Sequence, residues 1–231
     1  DYYASRGLGD VYKRQQVGCS GRTVYIYDKA GNELAKFRDI PYAYKAAFMP
    51  GKNIIAVKST EGRLAFYDLD ALCLLKRITI TRIGAQNGGF CFSPDGRFFY
   101  NIENPITSVR TQLGVYETNT FTKVSTLFAE DVRTVLAHLE FDEKTGTCYL
   151  LGFVRDDMGV LDHGFIAIFD TESQTLQNIH VISQKQYHYL ESYKDWELSG
   201  FTEKSLEWGM LHYLDHIDKS SIKDVYEAAG S

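Results

Sequence analysis

The sequence predicts an all-β chain built from a repeated unit of four antiparallel strands, with a helical tail behind it. Three observations point there. Aromatic residues make up 14% of the chain, with 16 Tyr and 14 Phe against 4 Pro, and such side chains suit a pleated, half-buried surface. A phenylalanine anchor recurs at Phe48, Phe92 and Phe141, spaced by 44 and then 49 residues. An aromatic–acid pair recurs later in each unit, at Tyr27-Asp28, Tyr67-Asp68, Tyr116-Glu117 and Phe169-Asp170.

Taken in order, residues 1–15 stand apart. Asp10-Val11-Tyr12-Lys13-Arg14-Gln15 reads as the translation of a transposon adapter used in sequencing libraries. The segment is therefore expected to be a non-native scar of a metagenomic, bacterial read, with native upstream sequence lost. Residues 16–182 carry the repeat. Arg22–Phe37 supplies the last two strands of a unit, turning at Gly31-Asn32. Three full units follow, with strands termed a to d. They open on Ala43–Phe48, Gly88–Phe92 and Ala137–Asp142, and close on Cys73–Thr79, Thr122–Phe128 and Thr175–Ile182. In the second full unit strands b and c read as Arg97–Ile102 and Leu113–Glu117. The Pro94-Asp95-Gly96 turn has a mechanism: Pro presets φ, Asp caps, and Gly tolerates positive φ.

Units of 40–50 residues holding four strands are the period of β-propeller blades. The string Phe92-Ser93-Pro94-Asp95-Gly96-Arg97-Phe98-Phe99 resembles the hairpin of WD-repeat-like and YVTN-like propellers. The resemblance covers roughly 160 residues and implies a β-propeller, while the Trp-Asp and Gly-His pairs of strict WD repeats are absent. A β-sandwich or open meander would supply strands but not this repeat. Three and a half blades fall short of the four that closure requires. The expectation is a fragment of a larger propeller. The alternative is that two strands from about Gln186–Phe201 complete the N-terminal half-blade and close a four-bladed ring.

From residue 183 the composition shifts to a helical tail, 183–231, expected to pack on the blades. Thr202 could cap a helix over Glu203–Ile217, and Ser221-Ile222-Lys223-Asp224 resembles a capping box for a short terminal helix. Residues 184–200 fit helix or strand.

Candidate chemistry is sparse. His212 and His216, with Asp215 beside them, would share a helix face, but the HExxH pattern is missing. Asp156, Asp157, Asp162 and His163 fall in the b–c loop Arg155–Gly164; they could hold a hard cation, although a solvated acidic loop is the plainer reading. His138 and Glu140 alternate along a strand a, the strand that lines a propeller channel. The four cysteines show no metal spacing and read as reduced, with Cys73, Cys91 and Cys148 buried in strands, which favours a reducing, cytoplasmic compartment. No apolar run is long enough to span a membrane. The net charge of −5, with scattered Lys and Arg, argues against a nucleic-acid partner.

The b–c loops of the second and third full units, Glu103–Gln112 and Arg155–Gly164, are long, and b–c and d–a loops share one face of a propeller. Arg82, Arg110, Arg133 and Arg155 lie in these loops, and Arg suits bidentate recognition of carboxylates. The expected function is a non-enzymatic binding or scaffold propeller that uses this face for a protein or a small acidic ligand, without a cofactor. A lactonase-like or hydrolase-like enzyme with a channel site is the alternative, as is a sensor module of a longer protein.

Overall fold

The structure, a computed structural model, describes residues 3–5, 16–20, 23–28, 30–80, 89–104, 111–142 and 146–192. Among these, four antiparallel sheets of four strands succeed one another along the chain, each a simple meander. The first holds β1 (Tyr3–Ser5), β2 (Gln16–Ser20), β3 (Thr23–Tyr27) and β4 (Glu33–Phe37). The second holds β5 (Ala43–Phe48), β6 (Ile54–Ser59), β7 (Arg63–Asp68) and β8 (Cys73–Thr79). The third holds β9 (Phe90–Phe92), β10 (Phe98–Glu103), β11 (Gln112–Glu117) and β12 (Thr122–Leu127). The fourth holds β13 (Thr134–Asp142), β14 (Thr147–Arg155), β15 (Leu161–Asp170) and β16 (Thr175–Ile182), and α1 (Gln184–Ser192) follows it. The chain divides into two compact units, residues 1–128 and 129–231.

In the first unit the second sheet is covered on both faces. Ile55, Val57, Ala65 and Tyr67 bury against Val24 and Ile26 of β3. Their neighbours Ala56, Leu64 and Phe66 bury on the other side, against Phe90, Phe92, Phe99 and Tyr116 of the third sheet. Successive residues of a strand point to opposite faces, so two-sided burial writes β6 and β7 as continuous apolar runs. The opening strands neighbour one another: β5 lies against β1 and β2, and against β9.

The recurring acid closes the turn between the third and fourth strands. Asp68 Oδ1 accepts the N–H groups of Asp70 and Ala71 at 2.8 and 2.9 Å. Asp28 Oδ1 takes those of Ala30 and Asn32 at 2.8 and 2.9 Å. The Asn32 side-chain amide, ahead of these backbone donors, holds the Asp28 carboxyl below its usual range. In the third sheet Glu117 stands at this position and accepts the Thr120 hydroxyl instead. The residue that ends the turn is left-handed each time, at Gly31, Leu72 and Phe121. Between β9 and β10 the Pro94-Asp95-Gly96 turn forms as its residues dictate. Asp95 Oδ1 accepts from the Ser93 hydroxyl and the Arg97 N–H, and Gly96 has φ +67°. A Cβ on Gly96 would stand 2.8 Å from the Pro50 carbonyl of the second sheet, so this glycine also sets how closely the two sheets meet.

The second unit is built on the fourth sheet. Asp170 repeats the cap, accepting from Glu172 and Ser173, with the Glu172 N–H first among the bonds that lower its carboxyl. Helix α1 starts from a capping box: Ser183 N–H donates to Gln186 Oε1 at 2.7 Å, and Gln186 N–H returns to Ser183 Oγ at 3.2 Å. Its Tyr187 is buried with Leu151, Ile166 and Ile182. Gly164 admits the helix, since a Cβ there would meet Tyr187 Cβ at 2.6 Å.

Four expectations are corrected. The N-terminal sheet is complete rather than half: β1 and β2, partly drawn from residues 1–15, pair in antiparallel register with β3. The buried strand β3 would otherwise leave a row of backbone donors and acceptors unmet. The completing strands therefore do not come from Gln186–Phe201, because Gln184–Ser192 is helix. The b–c loop of the last full unit shrinks to residues 156–160, since β14 and β15 pair out to Arg155 and Leu161, which puts Asp162 and His163 on a strand. Cys73 is exposed, because β8 is the outermost strand of its sheet; Cys91 and Cys148 are buried, and all three are free thiols. The helices expected over Glu203–Ile217 and beyond lie outside the described residues, as do His212, Asp215 and His216.

Candidate functional site

A polar layer crosses the apolar seam between the second and third sheets. Lys58, next to last in β6, is wholly buried and donates from Nζ to the Ile102 carbonyl at 2.8 Å. Burial pulls its ammonium down to about 7; the charge of Glu103 opposes this and that of Lys45 adds to it. Glu103, the last residue of β10, is buried as well. Its Oε1 accepts the Tyr116 hydroxyl at 2.5 Å, and its Oε2 accepts Gln112 Nε2 at 3.0 Å and Lys123 Nζ at 2.7 Å. Burial first, then the Glu103 carboxylate, raises the Tyr116 phenol and keeps it a donor. Gly114 makes the space: a Cβ there would stand 2.3 Å from Glu103 Oε1.

Above this layer a cleft of about 420 Å³ opens between β8 and the third sheet, with Glu103 and Gln112 at one end and Phe121 at the other. Lys76, Ile78 and Lys123 also line it. A buried, lowered lysine can in principle serve as a nucleophile. Lys58, however, is not among the residues that line the cleft, and its nitrogen is engaged with a backbone carbonyl. The arrangement holds charge in place, and what it offers a ligand is a polar, aromatic-walled groove.

A second cluster stands where the fourth sheet turns from β14 to β15, beside the segment that enters β13. Arg155 N–H donates to the Arg133 carbonyl at 2.9 Å, which joins the two stretches. The Arg133 guanidinium donates from Nε to the Arg155 carbonyl at 3.2 Å and from Nη2 to Asp157 at 2.9 Å. Asp156 caps its own turn, accepting from Met158 and Val160. Around this bonded frame three apolar side chains face water: Val132, Val160 and Met158, the last 84% exposed.

Of the residues singled out by the sequence, the structure unites Arg133, Arg155 and Asp157, and stacks Arg155 over Phe153 at 5.7 Å. Arg82 and Arg110 lie outside the described residues. His138 is buried in β13, opposite Leu151, and Glu140 is in the same strand, opposite Tyr149. Asp162 and His163 bond to each other at 2.8 Å, apart from the Asp156 turn cap. Among the described residues no three His, Cys, Asp or Glu side chains are grouped to hold a metal ion, and no helix is long and apolar enough to cross a membrane. Lys58, Glu103, Tyr116 and Lys123 are not among the residues that the sequence patterns single out. The available signal was a charge inside a two-sided apolar strand: Lys58 ends the run Ile54-Ile55-Ala56-Val57, and Glu103 follows Ile102.

No family model matches the chain, and no curated protein matches it. Among solved structures 1124 chains match, so the likeness is to an architecture rather than to one protein. One is hydrazine synthase of Kuenenia stuttgartiensis, with a TM-score of 0.58 and 11% identity over 74% of this chain. The chain spans about half of that one, 51% of its length. At this identity the match speaks for the fold alone, and with the four-stranded meanders it makes this an all-β chain of propeller blades.

Proposed function

We propose that the chain is a non-enzymatic binding module that engages a protein partner through the end of its blades bearing the b–c and d–a connections. The observation that supports this most is the group Val132, Met158 and Val160. Large apolar side chains stand in water on and beside a turn that Asp156 caps and that the exposed Arg133–Asp157 pair ties to the segment entering β13. Exposed apolar groups with a polar rim on a rigid turn are what an interface core needs, and Met adapts readily to a partner's surface. The Phe92–Phe99 hairpin supports the finer reading of a WD-repeat-like or YVTN-like propeller, a class in which loops held by a rigid scaffold carry binding.

The test compares variants in a capture experiment. Met158→Asp should change stability by less than about 0.5 kcal/mol, since it alters an exposed turn. It should also release a partner that the parent chain and Glu172→Lys, altered in the β15–β16 turn, both retain. Equal retention by all three proteins would refute the reading.

A further inference from the structure

We propose that the cleft between the second and third sheets binds a small organic anion. Its carboxylate or phosphate lies between the ammonium groups of Lys76 and Lys123, and its apolar body lies against Phe121 and Ile78. This goes beyond the protein-binding reading, because different residues carry it.

The strand registers place the two lysines. Lys76 sits directly opposite Phe66 in the β7–β8 ladder, and directly opposed residues share a sheet face. Phe66 faces the third sheet and stacks on Phe121, with ring centroids 4.3 Å apart and planes 23° apart. Lys123 sits opposite Tyr116 in the β11–β12 ladder, and Tyr116 shares the apolar cluster of Phe66. The two lysines thus stand on the facing sides of the two sheets, and both line the cleft together with Phe121.

Charge decides the ligand class. Among the described residues, Lys76 and Lys123 bring ammonium groups to the cleft, and Glu103 is its one carboxylate. That carboxylate is only 2% exposed and already accepts three donors. Lys123 commits one of its three N–H groups to Glu103, which leaves two to offer. A chain of net charge −5 therefore presents a locally positive groove. A cationic ligand would meet ammonium groups and a saturated carboxylate, whereas an anion meets unused donors. Phe121 and Ile78 add an apolar wall, and the cleft's volume is that of a small-molecule site.

The experiment titrates the ¹⁵N-labelled chain with phenyl phosphate, benzoate and benzylamine while amide shifts are followed. Saturable shifts confined to residues 76–80 and 112–123 are expected with one or both anions, and the tighter of the two identifies the head group. Lys76→Glu, a change at an exposed side chain, should weaken that anion about tenfold or more, and Lys76→Arg should keep it. Equal response to benzylamine, no saturable shift with either anion, or unchanged affinity in Lys76→Glu would overturn the proposal. Met158→Asp should leave the titration unaltered, so failure at the protein-binding turn and failure at this cleft read out separately.

Discussion

Lys58 shows how one side chain can set a pH dependence for a whole seam. Its ammonium is drawn to about 7 by burial, while in an unfolded chain it titrates near 10, the usual lysine range. Between those two values the unfolded chain binds the extra proton. Stability must therefore rise with pH across that window and flatten above it. Urea unfolding of the parent protein should gain up to about 4 kcal/mol between pH 7 and pH 10 from this residue. Lys58→Met should remove most of that gain, and a variant with the parent's slope would show that Lys58 is not the group responsible. The residue is not legible in the sequence for a physical reason: a lysine beside Ser59-Thr60 reads as the polar end of a strand. Only the neighbouring sheet, which cannot be read from spacing, buries it.

At the scale of elements, the recurring acid was legible but its purpose was not. Asp28, Asp68 and Asp170 look like functional marks because they repeat, yet each spends its carboxylate on backbone N–H groups of its own turn. Helix α1 illustrates the opposite case. Its Ser183–Gln186 box is present in the sequence, but residues 184–200 read equally well as helix or strand. Its docking rests on Gly164, where a methyl group would collide with Tyr187 and Ile182. In Gly164→Ala the helix should lift from β15, giving faster amide exchange over residues 184–192 with the sheet's protection retained. Protection of the helix equal to the parent's would show that the contact relaxes instead. Strand ends were legible to within a residue or two where apolar alternation stopped, as in β10–β12. The β14–β15 hairpin is longer than its composition suggests, because Asp162 and His163 look like loop while the strands still pair out to Arg155 and Leu161.

At the scale of the molecule, the repeat was visible because each blade reissues the same aromatic anchors at nearly constant spacing. The binding regions were only partly visible. The Arg133–Asp157 frame could be guessed from loop composition, but the Lys76–Lys123 groove needs two ladders and a stacked ring pair to assemble it. The second sheet, buried on both faces, restricts where the protein can be cut. Ile55, Val57, Ala65 and Tyr67 share their cluster with Val24 and Ile26 of the sheet ahead of them. A chain beginning at residue 38 would bare that strip as an adhesive wall, and the simplest cover for it is the same strip on another copy. Such a chain should elute in size-exclusion chromatography as a larger assembly per polypeptide than the parent, and elution in the parent's state would count against this. On this expectation the first sheet shields its neighbour from other copies of the chain.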